Sequence, residues 1–383
     1  MANARLMDQP KDFAKFGIDP NVVAPWEDGI RNTDGVGTNE VWYFDADFDD
    51  GSKVIAAFRP KTVGAMQTVG YEPNLNLAIT RPNGETVQEF SFAKLANNSM
   101  SKEKCDVHFG PDYCTGDFKQ YDVHIESTQG IACDLHYRAL VEPFRQGTSS
   151  LALGDNDEYF YTDLSVPKCE VTGTLTYDGQ TINVHGQGYH DHQWMNITPL
   201  AAFHHWLWGR MYTEKYVIYI YDFVTTEHFG FKRLPFFMIA DNQTGKIIFT
   251  TNGHVSVETQ LEDTTVGKPF PKTSRYVFDN GNDKAEFTVT WRDIIETRDM
   301  YGDAPKDAQE AAQRAKQAGI TGMQKAIGGT KEQYDKMGIQ PTYLRFFADG
   351  GVKLTLDGTT TESDGTMLYE YNYMGRIDPR ANV

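Results

Sequence analysis

The amino-acid sequence predicts an all-β protein of two antiparallel β-barrel domains, the second carrying a small helical insertion. Three observations lead there. With 383 residues the chain exceeds what one hydrophobic core ordinarily organises, and at 40% hydrophobic and 13% aromatic it can fill two. Most of its length consists of short runs rich in Val, Ile, Thr, Tyr and Phe, punctuated by Gly, Asn, Asp and Pro, which is how antiparallel sheets read in sequence. One stretch alone, Ala304 to Met337, has Ala, Gln, Glu and Lys in helical proportion.

The strand-like runs Glu40 to Phe48, Lys53 to Phe58, Leu75 to Thr80 and Val87 to Phe92 follow one another at barrel spacing, with a turn at Pro82-Asn83-Gly84. Thr172 to Tyr177 and Gln180 to His185 flank Asp178-Gly179, a pair that tolerates the positive φ angles of a two-residue hairpin turn. The second half repeats the style in Tyr216 to Phe223, Lys246 to Thr251, Val255 to Thr259, Tyr276 to Phe278, Glu286 to Trp291 and Tyr343 to Phe347. Trp42-Tyr43-Phe44 followed by Lys53-Val54-Ile55 is echoed by Trp206-Leu207-Trp208 followed by Tyr216-Val217-Ile218, as if one strand pair opened each of two duplicated barrels. The helical stretch has Pro305 near its start and Gly319, Gly328-Gly329 and Gly338 as stops. It reads as two or three short helices between strands of the second barrel, either a surface decoration or a lid over a cavity. These divisions give an N-terminal extension over 1–34, a first domain over 35–200, and a second over 201–383 with its insertion at about 300–340.

Charge narrows the partners. Thirty-six basic residues against 53 acidic ones leave a net charge of −17, which repels phosphate backbones and anionic lipid, so neither nucleic acid nor stable membrane insertion is expected. Met1 to Pro10 lacks the apolar stretch of a signal peptide, and no run approaches the ~20 apolar residues of a membrane span. The cytoplasm is the expected compartment. Cys105, Cys114, Cys133 and Cys169 show no CxxC spacing and read as buried thiols, with Cys105 and Cys114 placed to face each other across a hairpin.

Chemistry concentrates in Gly186-Gln187-Gly188-Tyr189-His190-Asp191-His192-Gln193-Trp194. In an extended strand His190, His192 and Trp194 share one face, and Tyr189, Asp191 and Gln193 the other. An imidazole pair beside an indole suits proton transfer next to an apolar ligand. The same polar groups could instead bond neighbouring strands where the barrels meet. His-x-His is also a metal-ligand pair, but no third ligand follows at a recognisable spacing, so no metal is expected. Further on, Tyr219, Tyr221 and Phe223 fall on one face of their strand and Asp222 on the Ile218/Ile220 face, where an unpaired buried carboxyl would have a raised pKa. A strand-end Asp bonding a loop backbone is the alternative.

Glu40-Val41-Trp42-Tyr43-Phe44-Asp45 resembles the "EWWYFD" signature, and Gly188-Tyr189-His190-Asp191-His192-Gln193-Trp194 the "GxGxxDHxWG" signature, of the carotenoid 1,2-hydratase and AttH-like proteins, to which kievitone hydratase and the fungal lipocalin-like Diels-Alderases are related. Met195 stands where the second signature usually has Gly. The resemblance spans roughly residues 35 to 375. It implies two packed lipocalin-like barrels, a ligand pocket near the second motif, and no organic cofactor. The expected activity is that of a hydro-lyase, adding water to or removing it from a carbon–carbon double bond of a hydrophobic isoprenoid or polyketide-like molecule. An isomerase, cyclase or pericyclase, or a non-catalytic carrier, would use the same kind of pocket. Candidate catalytic residues are His192, Asp222, Tyr221, Asp191 and His190, with Asp222 as acid and His192 handling water. Trp194, Tyr189, Trp208, Tyr219 and Trp42 are candidate substrate contacts, their π faces suited to cationic charge. The expected partner is the hydrophobic small molecule, and a homo-oligomer is compatible with the sequence.

Overall fold

The computed structural model describes residues 1–61, 65–93, 97–126, 130–251, 253–263, 268–317 and 330–375. Two antiparallel sheets make up nearly all of it. The main path of the first, 13-stranded sheet runs Thr86–Phe92, Asn74–Thr80, Lys53–Lys61, Asn39–Phe48, Gln180–Met195, Tyr159–Tyr177, Ala132–Ala139, Gln120–Ile125, Asp112–Gly116, Asp106–Phe109 and Asn98–Met100. Off this path, Ala4–Leu6 pairs with Ser150–Leu153, which pairs with Tyr159–Tyr177. The second sheet has nine strands in the order Ile247–Thr250, Arg233–Asp241, Tyr216–Thr225, Phe203–Tyr212, Thr359–Tyr373, Thr342–Leu356, Lys284–Arg298, Pro269–Asp279 and Val255–Asp263.

Both sheets obey one plan. An opening meander of four strands folds outward, and the first of those four pairs with the last strand of its own sheet. The strand pairs suspected of duplication, Asn39–Phe48 with Lys53–Lys61 and Phe203–Tyr212 with Tyr216–Thr225, occupy the same place in the two orders. Each sheet curls into a lipocalin-like half-barrel, so that strands distant in the order meet across its core. Phe58 packs 5.8 Å from Phe109 in the first, and Phe237 stacks 3.9 Å from Phe278 in the second.

Alternation sets the two faces. In Ala132–Ala139, Cys133, Leu135 and Tyr137 are buried while Asp134, His136 and Arg138 face water, the period-two pattern of a sheet wetted on one side. The Asp178-Gly179 hairpin forms as expected, with φ of 52° and 74°. All four cysteines are buried free thiols, with Cys105 Sγ 3.9 Å from Cys114 Sγ. Helices occur where the sequence placed them, over Met300–Gln317 and Lys331–Met337, the latter closed by Gly338 at φ 65°. The first begins before Ala304 and takes Pro305 into its interior, while the stops proposed at Gly319 and Gly328-Gly329 lie outside the described residues. No described helix is long and apolar enough to cross a membrane.

A third core fills the space between the sheets. It holds Tyr161, Tyr189, Trp208, Tyr219, Tyr221 and Phe223, so the outer faces of the central strands, which would be wet in a solitary barrel, are buried against each other. Arg210 clamps this junction by a bidentate bond to Asp45, at 2.9 Å to Oδ2 and 2.5 Å to Oδ1, with its guanidinium 5.0 Å from the Tyr189 ring.

Candidate functional site

Strand Gln180–Met195 lies between Asn39–Phe48 and Tyr159–Tyr177, and its glycines let it do so. A Cβ at Gly186 would sit 2.1 Å from the Asp47 carbonyl oxygen, and one at Gly188 would sit 2.5 Å from that of Asp45, so the first half of the motif permits close strand approach. The second half splits its polar residues between two compartments.

On the inner face, His190 and His192 point into the first half-barrel. His190 Nδ1–H donates to the Tyr43 carbonyl at 2.9 Å, and its Nε2 is 3.3 Å from Asp28 Oδ2. His192 Nε2–H donates to Glu40 Oε1 at 2.8 Å, and its Nδ1 stands 3.2 Å from Asp28 Oδ1, too poorly aligned to count as a hydrogen bond. Asp28 ends the short turn Pro25–Asp28, receives the Tyr121 hydroxyl at 2.7 Å, and accepts Trp42 Nε1–H on its backbone carbonyl at 2.9 Å. Phe44 stacks on His190 and Trp42 on His192. Burial opposes ionisation of Asp28, yet the two imidazoles beside it hold its carboxyl well below the usual range. Burial likewise opposes a charged His192, but the nearby Asp28 carboxylate and the hydrogen bond to Glu40 leave its pKa raised. The result is a closed ionic cage. Among the described residues no group of three or more His, Cys, Asp or Glu is arranged to hold a metal ion.

The outer face is different in kind. The Tyr189 hydroxyl donates to Asp191 Oδ2 at 2.9 Å, Gln193 Nε2–H reaches Asp191 Oδ1 at 3.2 Å, and the Tyr161 hydroxyl donates to Gln193 Oε1 at 2.6 Å while lying 3.3 Å from that of Tyr221. Asp163 pairs across the strands with Gln193, which puts it diagonally beside Asp191 on the same face. It accepts the Tyr219 hydroxyl from the second sheet at 2.6 Å. Among the described residues no cation is bonded to either carboxyl. Burial pushes Asp163 up to about 7, its bond from Tyr219 notwithstanding. Burial, then the charge of Asp163, raises Asp191 well above the carboxylate range.

Asp191 opens on a cavity of about 440 Å³ between the sheets. The first sheet contributes Tyr43, Ile55, Arg59, Asn76, Asp191 and Gln193, and the second contributes Trp208, Tyr221, Tyr343, Arg345, Glu370 and Asn372. Glu296 and Arg298, at the end of their strand, and Met300, the first residue of the long helix, complete the wall. A second cavity of about 300 Å³ lies at the mouth of the first half-barrel, between Trp194 and the N-terminal residues Phe16, Trp26 and Arg31.

The predicted constellation is thus distributed over several places. Tyr189, Asp191, Trp208, Tyr219 and Tyr221 meet between the sheets; His190, His192 and Trp42 belong to the ionic cage; Trp194 lines the mouth cavity. Asp222 does lie on the Ile218/Ile220 face, but that face turns into the second half-barrel, away from Tyr221. Its carboxyl is paired with the Arg233 guanidinium and takes the Tyr276 hydroxyl at 3.1 Å, and burial still raises its pKa. Asp28, Asp163 and Arg59 were not among the predicted residues. For Asp163 a signal existed, an acid inside the strand-like run Tyr159 to Val166, the same signal that singled out Asp222.

The Svf1 family model matches residues 72–343, well over half of the chain. The chain belongs to the Svf1 family. No curated protein matches this Svf1-family chain. Solved structures similar to it include an AttH protein from Nitrosomonas europaea (14% identity, TM-score 0.53, covering 88% of this chain and 93% of that one) and kievitone hydratase from Nectria haematococca (11%, 0.54, 98% and 98%). Another is CghA (12% identity, TM-score 0.56, covering 97% of this chain and 98% of that one). At these identities the likeness is one of fold, and it extends the two-barrel architecture over nearly the whole Svf1-family chain.

Proposed function

We propose that this protein is a cofactor-independent enzyme that hydrates, dehydrates or isomerises an unsaturated small molecule in the cavity between its sheets, with Asp191 as general acid. The observation that carries this reading is the buried pair Asp163 and Asp191, one member of which reaches the cavity wall. A carboxyl held neutral near pH 7 can deliver a proton that an ordinary aspartate no longer carries. In the hydration sense, Asp191 gives its proton to one alkene carbon and the π faces of Trp208 and Tyr221 shield the cationic carbon. Water held at the Gln193 amide adds to that carbon, and its surplus proton returns to the Asp191 carboxylate. Isomerisation uses the same protonation, followed by loss of a different proton to Asp191. The kievitone hydratase similar in fold is by name a hydratase, which is in keeping with this chemistry. A closer kinship with carotenoid 1,2-hydratases, and an isoprenoid or polyketide-like substrate, are parts of the same proposal.

The test is to incubate the protein with unsaturated isoprenoids and polyketide-like molecules in deuterated water, following mass change and deuterium incorporation. Asp191→Asn is expected to lower turnover by ~10² to 10⁴ with binding nearly unchanged. Normal turnover by Asp191→Asn, without solvent deuterium in the product, would mean that the cavity folds its ligand rather than protonating it. Tight binding without turnover would favour a carrier, a reading to which the second cavity beside Trp194 lends support.

A further inference from the structure

The cavity wall contains a cation that has no counterion among the described residues. Of the three arginines there, Arg345 is bonded to Glu370 at 2.7 Å, and Arg298 has a partner of its own. Arg59 stands on strand Lys53–Lys61, on the same face as Ile55 and beside Asn76 of the neighbouring strand. Among the described residues its guanidinium makes no hydrogen bond and no ion pair, and Nη1 is shut off from solvent as well. Burial lowers its pKa to about 10, so it stays charged at neutral pH in surroundings that penalise the charge. Trp208 Nε1 is a second buried donor in this wall without an acceptor among the described residues. Buried donors are almost always satisfied in folded proteins, and an unmatched guanidinium is a costly exception in a chain whose net charge is −17. With Asp191 held neutral, the lining carries more positive than negative charge.

We infer that Arg59 is the anchor of the ligand's polar end, and that the ligand is an unsaturated small molecule bearing a carboxylate or an equally planar oxyanion. This rests on the inter-sheet cavity being the reaction site and deepens that reading by naming the substrate class. A guanidinium matches a carboxylate with two parallel N–H donors, which fixes orientation as well as distance. The anion at Arg59 directs the apolar, unsaturated remainder toward Asp191, Trp208 and Tyr221. An anionic group there also disfavours ionisation of Asp191, so binding keeps the acid loaded.

The probe pair is cis-parinaric acid and its methyl ester, a fluorescent polyene with and without the carboxylate, titrated at pH 7.5. The wild-type protein is expected to bind the acid at least about tenfold more tightly than the ester. Arg59→Gln should remove that preference while leaving ester affinity within about twofold, and Arg59→Lys, a point charge without the fork, should keep only part of it. Arg31→Gln, at the mouth cavity, should leave the preference for the acid over the ester intact. Because Arg59 supports no partner among the described residues, the thermal midpoint of Arg59→Gln should not fall; if that variant fails to fold, Arg59 is structural and the inference is wrong. Equal binding of acid and ester by the wild type, or a preference that follows Arg31 instead, would overturn it too. Asp191→Asn keeps the acid preference while losing turnover, so failure of the anchor and failure of the general acid give different results.

Discussion

Two faces of one strand, three residues apart at most, have been given opposite electrostatics. On the inner face of Gln180–Met195, the Asp28 carboxylate lies between two imidazoles, 3.3 Å from His190 and 3.2 Å from His192. On the outer face, two carboxyls are surrounded by phenols and an amide, none of which can neutralise them. The first arrangement lowers the pKa of its acid and the second raises it. Burial is equally deep on both sides, so the neighbours decide. A strand that met the same surroundings on both faces could not have an ionised aspartate against one of them and proton-holding aspartates on the other.

The contrast is broken most severely from the inner side. Asp28→Asn takes the charge from the cage and leaves His192 with Glu40 alone, and denaturant unfolding at pH 7 should show a loss of about 3–5 kcal/mol. The sign follows from the depressed pKa. The stability that Asp28 contributes is complete above about pH 4 and is lost as pH falls through its folded value, so the variant should have a flatter acid limb. His192 works the other way, contributing fully below about pH 6.5 and less as pH rises through its raised value. A loss under about 1 kcal/mol for Asp28→Asn would mean the imidazoles are satisfied without it.

On the outer side the same type of change should do the reverse. Asp163 has a raised folded pKa, so its contribution is complete below about pH 4 and is lost as pH rises toward 7. Asp163→Asn should therefore stabilise the protein above pH 7, by about 1–3 kcal/mol, and leave it nearly unchanged at pH 4. With that charge gone, Asp191 titrates lower, and the alkaline limb of any turnover should move to lower pH. Destabilisation at pH 8 would show that Tyr219 needs a carboxylate and that the pair is not held neutral. The smallest effect is expected from Tyr189→Phe, which removes a bond favouring ionised Asp191. It should cost about 1 kcal/mol of stability and move the alkaline limb upward by less than about one pH unit.

How legible was this from the sequence? Strand runs, the Asp178-Gly179 hairpin, the helical stretch and the echo between the Trp42 and Trp206 regions all express local patterning, and all have counterparts in the fold. The two-faced character of Tyr189 to Trp194 was equally readable, because alternation is fixed by the backbone. What lay on either side was not. Asp28 reaches His190 from 162 residues away, and Arg233 reaches Asp222 across a hairpin that reverses the chain. Asp222 looked like a stranded acid because only its own strand was visible. Arg59 was invisible for a converse reason: its distinction is the absence of a partner among the described residues, which no single stretch of sequence can reveal.

The shared plan of the sheets also bears on how the chain reaches its native state. In each, the founding strand waits for the final one. Asn39 is opposite Met195, and His205 is opposite Tyr373. Such pairings demand closure of very long loops before either partner is rewarded, which slows folding and exposes sticky strand edges meanwhile. During synthesis the opening four-strand meander of the first sheet emerges well before Gln180–Met195, with the outer side of Asn39–Phe48 unpaired. That edge is a candidate for capture by chaperones or by its counterpart in the second sheet, where Phe203–Tyr212 presents a similar vacancy until Thr359–Tyr373 arrives.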